Sequence, residues 1–113
     1  MKFKITQRGK ATVVELDGNL LGGPDAALLK NKLHELVDSG KKLVVVDLKA
    51  VEFLNSSGLA MLISSLTAMR NAGGDLKIAN ASVKIETVIK VTKLGIMFEN
   101  YSSVEAAITA LKK

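Results

Sequence analysis

The sequence predicts an α/β layer fold, with a mixed β-sheet that opens with a β-hairpin and later strands joined by helical crossovers, and with about four helices. Three observations carry that prediction. After an initial pair of strand-like segments, short stretches of strand periodicity alternate with longer stretches of helix periodicity. Leu43-Val44-Val45-Val46 is a continuous apolar, mostly β-branched run, as a central strand covered on both faces requires. The breaks fall at turn residues, notably Gly9, Asp17-Gly18-Asn19, Ser39-Gly40 and Gly73-Gly74.

In order along the chain, Phe3 and Ile5 alternate with Lys2, Lys4 and Thr6, the period of a half-buried strand. Gly9 offers a turn, and Ala11-Thr12-Val13-Val14-Glu15-Leu16 returns as the second strand of a hairpin that ends at Asp17-Gly18-Asn19. A helix follows Gly22-Gly23-Pro24-Asp25, with Pro in its first turn. Ala26, Leu29, Leu33, Leu36 and Val37 form its apolar stripe, and Ser39-Gly40 stops it. The central strand at Leu43–Val46 is expected to close at Asp47. Leu59, Leu62, Ile63, Leu66 and Met69 predict a second helix from about Ser57 to Asn71. Leu76-Lys77-Ile78 then reads as a short strand. Ile85, Val88 and Ile89 predict a third helix ending near Leu94-Gly95, and Met97-Phe98 the start of a last short strand. Val104, Ala107, Ile108 and Leu111 give a terminal helix capped by Ser102 or Ser103. No repeat, low-complexity stretch or linker divides residues 1–113, which are expected to form one domain.

Composition narrows the chemistry. The absence of Cys excludes a disulfide framework, a thiolate nucleophile and a Cys-ligated metal or cluster. The apolar runs fall far short of the roughly 20 residues that cross a bilayer, and no apolar segment follows the first lysines, so neither membrane insertion nor a secretory signal is expected. The cytoplasm is the default compartment. A net charge of +5 invites a nucleic-acid reading, yet the basic residues are spread along the chain. The aromatics Phe3, Phe53, Phe98 and Tyr101 fit no RNA-recognition pattern, so no direct nucleic-acid partner is expected. The charge is instead a feature that could complement an acidic partner surface.

No familiar catalytic set is present. His34 is the only histidine, with no Cys or second His to complete a dyad or a metal site, and it reads as an exposed helix residue. Gly22-Gly23 and Gly73-Gly74 match no phosphate-cradling loop, and Asp17, Asp25 and Asp47 are explained by caps and turns. No catalytic residue, metal or cofactor is therefore assigned. One stretch stands out: Val51-Glu52-Phe53-Leu54-Asn55-Ser56-Ser57-Gly58-Leu59-Ala60-Met61-Leu62 leaves a central strand and enters an apolar helix through Asn-Ser-Ser-Gly. Asn55 or Ser56 would cap that helix, and Gly58 would let its first turn pack close to the sheet. A serine hydroxyl there lies beyond the C-terminal end of a buried strand, where open α/β sheets bind partners, and a helix N-terminus tolerates a phosphate.

At this segment the sequence resembles the STAS-domain family of bacterial anti-sigma factor antagonists, whose signature is approximately Asp-Ser-Ser/Thr-Gly-Leu-Gly after a Val-x-Phe-Met/Ile stretch. The likeness runs through Val13-Val14-Glu15-Leu16-Asp17-Gly18-Asn19-Leu20, Val44-Val45-Val46-Asp47-Leu48, Ile89-Lys90-Val91-Thr92-Lys93-Leu94, Phe98 and the Ser102–Ala107 start of the terminal helix. It implies a protein without enzymatic activity of its own that binds an anti-sigma factor, a serine kinase of the GHKL ATPase type, and so releases a sigma factor. It implies too that phosphorylation of Ser56, with Ser57 its neighbour, breaks the complex and that a PP2C-type phosphatase restores it. Partner contacts would fall on Asn19, Gly22, Gly23, Asn55, Ser56, Ser57, Gly58 and Leu59. This chain departs from the pattern by Asn55 in place of Asp, Ala60 and Lys93 in place of Gly, and Gly22-Gly23-Pro24 in place of an Asp-x-x-Thr/Ser helix start. Asn55 supports an alternative, a non-phosphorylated STAS adaptor or scaffold subunit that binds an ATPase or transporter component.

Overall fold

The computed structural model describes residues 2–21, 23–91 and 99–111. Along the chain these form β1 (Lys2–Arg8), β2 (Ala11–Asp17), α1 (Gly23–Asp38), β3 (Leu43–Ala50), α2 (Ser56–Asn71), β4 (Asp75–Ala79), α3 (Val83–Lys90), β5 (Asn100–Tyr101) and α4 (Val104–Leu111). The five strands make one sheet in the order β1-β2-β3-β4-β5. β1 and β2 are antiparallel, with Arg8 opposite Ala11 across a two-residue turn, where Gly9 takes φ +62° at the tip. The pairs β2–β3, β3–β4 and β4–β5 are all parallel. The α/β architecture, hairpin, crossovers and four helices are thus those expected of the sequence.

Strand alternation divides the core in two. Val14, Leu16, Val44, Val46, Leu48, Leu76 and Ile78 point to one face, where the apolar stripes of α1, α2 and α3 cover them. The α1 stripe is anchored by Leu29, Leu33 and Leu36, that of α2 by Leu59, Met61, Leu62, Leu66 and Met69, and that of α3 by Ile85 and Ile89. On the other face, Ala11, Val13, Val45 and Ala79 pack under α4 through Ala107, Ile108 and Leu111.

One boundary differs from expectation. β3 does not close at Asp47 but runs to Ala50, with Asp47 paired to both Glu15 and Ala79. Its charged residues belong to the strand because α4 leaves this part of the face open, so Asp47 and Lys49 alternate with buried Leu48. The α3 helix is described as Val83–Lys90, with Val91, 77% exposed, as its C-cap, while the end expected near Leu94-Gly95 lies outside the described residues. The last strand is Asn100–Tyr101, while its expected start at Met97-Phe98 lies outside the described residues. Of the two serines considered for the α4 cap, Ser103 accepts from Ala106 N–H at 3.1 Å.

Candidate functional site

Because β2, β3 and β4 are parallel, the loops before α1, α2 and α3 all leave the same end of the sheet. The loop after β3 is built against the loop after β2. Leu20 N–H donates to the Phe53 carbonyl at 2.9 Å, Asn55 N–H donates to the Leu20 carbonyl at 3.2 Å, and Leu20 and Leu54 form a parallel bridge. Leu20 is fully buried and Leu54 nearly so, and these two side chains anchor the paired loops in the core.

Asn55 is the N-cap of α2: its backbone is extended, and its Oδ1 accepts from Gly58 N–H at 2.8 Å. Asn55 Nδ2 also donates to the Leu21 carbonyl at 2.9 Å. Gly58 is buried, and a β-carbon there would lie 2.2 Å from the Leu20 carbonyl oxygen. The close approach that the sequence suggests for Gly58 is therefore made to the β2–α1 loop.

Ser56 and Ser57 are the first two residues of α2, and both are exposed. Since Asn55 supplies the cap, the Ser56 hydroxyl is not needed for it. The first turn of α2 holds no acidic residue, so its unpaired amides and positive dipole end are not neutralised from within. Asn19 and Gly23 lie exposed on the neighbouring loop and at the start of α1; Gly22 lies outside the described residues. Leu59 is 4% exposed and packs into the core, where it anchors the turn that presents the serines.

Exposed apolar side chains stand on the loops and helix starts at this end of the sheet, which the sequence reading did not foresee. Leu21 is 50% exposed, Phe53 45% and Val83 84%, and the Lys84 ammonium sits 3.7 Å from the centre of the Phe53 ring. Phe53 and Leu21 interrupt no periodicity that would have marked them; only the pairing of the two loops places them side by side. Lys10, Lys41 and Lys42 line a groove at the start of β2 and β3, the end of the sheet opposite Ser56.

Several other polar groups have structural partners. Asp47 Oδ1 accepts from Lys49 N–H and from Asn80 Nδ2, each at 3.0 Å. Arg8 pairs with Glu105 at 3.2 Å on the open face of the sheet. Together with the Glu105 backbone N–H, which contributes more, that pairing holds the Glu105 carboxyl below its usual range. His34 is exposed on α1. Among the described residues, no group of three or more His, Cys, Asp or Glu side chains could hold a metal ion, and no helix is long and apolar enough to cross a membrane.

The site is thus a hydroxyl at a helix N-terminus of a small α/β domain, with exposed apolar side chains at the same end of the sheet. The STAS domain family model matches residues 2–107, and the chain belongs to that family. Among its relatives is the anti-sigma-B factor antagonist of Bacillus subtilis, 29% identical over 83 residues that cover 71% of this chain and 75% of the relative. An anti-sigma factor antagonist from Mycobacterium paratuberculosis shares its fold, with a TM-score of 0.85 and 23% identity over 99% of this chain and 94% of that one. So does the Bacillus cell fate determinant SpoIIAA in its phosphorylated form, with a TM-score of 0.73 and 18% identity over 96% and 98% of the two chains.

Proposed function

We propose that this chain is an anti-sigma factor antagonist that binds an anti-sigma factor serine kinase of the GHKL type, frees the sigma factor, and is switched off by phosphorylation of Ser56. It would work in the cytoplasm as one domain spanning residues 1–113. The observation that carries the reading is the exposed Ser56 hydroxyl at the start of α2, left out of the cap by Asn55. Membership of the STAS family and a relative that antagonises an anti-sigma factor support the partner class.

The chemistry of the step belongs to the partner. Ser56 Oγ would attack the γ-phosphorus of ATP, giving up its proton to a base of the kinase as the bond to ADP breaks. A PP2C-type phosphatase would return the hydroxyl by transferring the phosphoryl group to water, which breaks the bond to Ser56 Oγ and releases inorganic phosphate. Phosphorylation adds about −1.5 to −2 charges at neutral pH. The amides and dipole of α2 favour that charge. A contact resting on Leu21 and Phe53 would have to desolvate it, so the complex is lost while the fold persists.

The test is incubation with the cognate kinase and ATP, read by intact mass. One added phosphoryl group is expected, abolished by Ser56→Ala. Asn55 in the place of the family aspartate favours a second reading, a STAS adaptor that never switches. A kinase that modifies another substrate but leaves this chain unmodified, together with no phosphate on protein from its native cell, would establish that reading instead.

A further inference from the structure

Asn55 faces two ways. Its Oδ1 accepts from Gly58 N–H in the first turn of α2, and its Nδ2 donates to the Leu21 carbonyl, 34 residues earlier in the chain. Leu20 and Leu21 run as a strap along residues 53–55, held by two backbone hydrogen bonds and the Leu20–Leu54 bridge. Leu20 is buried beneath this strap, while Leu21 is half exposed on its outside. A primary amide supplies donor and acceptor at once, whereas an ionised aspartate is acceptor only.

We propose that Asn55 is a positioning residue that clamps the β2–α1 loop to the first turn of α2, so that Leu21 is displayed beside Ser56 as part of one partner surface. An aspartate at this place keeps the cap and opens the clamp, because its second oxygen would face the Leu21 carbonyl with no proton between them. The role in binding rests on the reading of Ser56 above; the clamp itself does not.

Capping alone predicts the opposite outcome. Asp and Asn cap about equally well, and a carboxylate gains from the helix dipole, so a cap-only residue would be unharmed or improved by Asn55→Asp. The test compares amide hydrogen exchange in the wild-type protein and Asn55→Asp. At neutral pH the amides of Leu20 and of residue 55 should exchange roughly three- to tenfold faster in the variant, with Gly58 still protected. Well below the ordinary aspartate value of about 3.9, since the cap and helix dipole favour the carboxylate, the new carboxyl is protonated and regains an O–H donor, so their protection should return toward wild-type. Reading each pH against wild-type protein at that pH removes the titration of Glu52 and the other native carboxylates. Unchanged protection at neutral pH, or protection that falls further on acidification, would overturn the clamp.

The second arm is affinity for the anti-sigma factor kinase, expected to fall roughly three- to tenfold in Asn55→Asp at neutral pH. Faster exchange with unchanged affinity would overturn the positioning role. A wild-type protein that does not bind the kinase would remove the proposed function, and the exchange data would still decide the clamp.

Discussion

At Gly58 the chain has no room for a β-carbon. Added there, it would lie 2.2 Å from the carbonyl oxygen of Leu20 and 2.9 Å from its carbonyl carbon, and backbone atoms cannot swing aside as the end of a side chain can. Relief would require separating the β2–α1 loop from α2, at the cost of the Leu20–Phe53 and Asn55–Leu20 hydrogen bonds. Gly58→Ala is therefore expected to destabilise the protein by about 3 kcal/mol, the upper range for overpacking, despite alanine's higher helix propensity. Ser57→Ala, one residue away and exposed, should change stability by less than about 0.5 kcal/mol. Urea unfolding midpoints of the two variants measure the contrast. Equal midpoints would show that the loop yields freely and that the paired loops are not a rigid platform.

Between elements, the tie between α3 and β5 is polar. Asn100 Nδ2 donates to Glu86 Oε2 at 2.9 Å and to the Ala81 carbonyl at 3.1 Å, while Asn100 Oδ1 accepts from Ala81 N–H at 3.1 Å. The hydrogen bond from Lys90, then that from Asn100, holds the Glu86 carboxyl below its usual 4.5. A carboxyl lowered by folding contributes stability above its unfolded value and loses that contribution as pH falls through the lower folded value. Acidification from about pH 5 to 3 should therefore lower the urea midpoint of wild-type protein more steeply than that of Glu86→Gln, which keeps an acceptor but carries no charge. Parallel slopes would show that the pairing contributes nothing. These ties also mark how far the sequence could be read. The stripes of α1, α2 and α4 were legible because a helix buried on one side must repeat its apolar residues at helical spacing. The continuation of β3 through Asp47 and Lys49 was not, since only the short reach of α4 over the sheet makes charged residues acceptable there. The serine loop was legible as a cap and a glycine, but the partner of Asn55 Nδ2 lies in a loop whose approach no local pattern encodes.

For the whole molecule, presentation of Ser56 and stability of the fold draw on different parts. The large core lies beneath α1, α2 and α3 and reaches the site through Leu20, Leu54 and Leu59, whereas Ser56 and Ser57 stand outside it. The basic groove at Lys10, Lys41 and Lys42 is at the far end of the sheet, while Lys84 stands over Phe53 at the proposed contact. What marks that end of the sheet is exposed apolar surface on Leu21, Phe53 and Val83, with the uncharged Ser56 hydroxyl at the start of α2. A negative charge introduced there should act on the two properties in opposite directions. Ser56→Asp places a carboxylate in the first turn of α2, which holds no acidic residue, and the helix dipole should leave stability unchanged or raise it by up to about 1 kcal/mol. The same carboxylate would have to be desolvated in any complex that covers Leu21 and Phe53, so affinity for the anti-sigma factor kinase should fall at least about tenfold. Thermal unfolding and a binding titration on the same preparations measure both. A loss of binding that tracks a loss of stability would show that the substitution damages the fold, and binding unchanged by Ser56→Asp would place the partner on another face of the sheet.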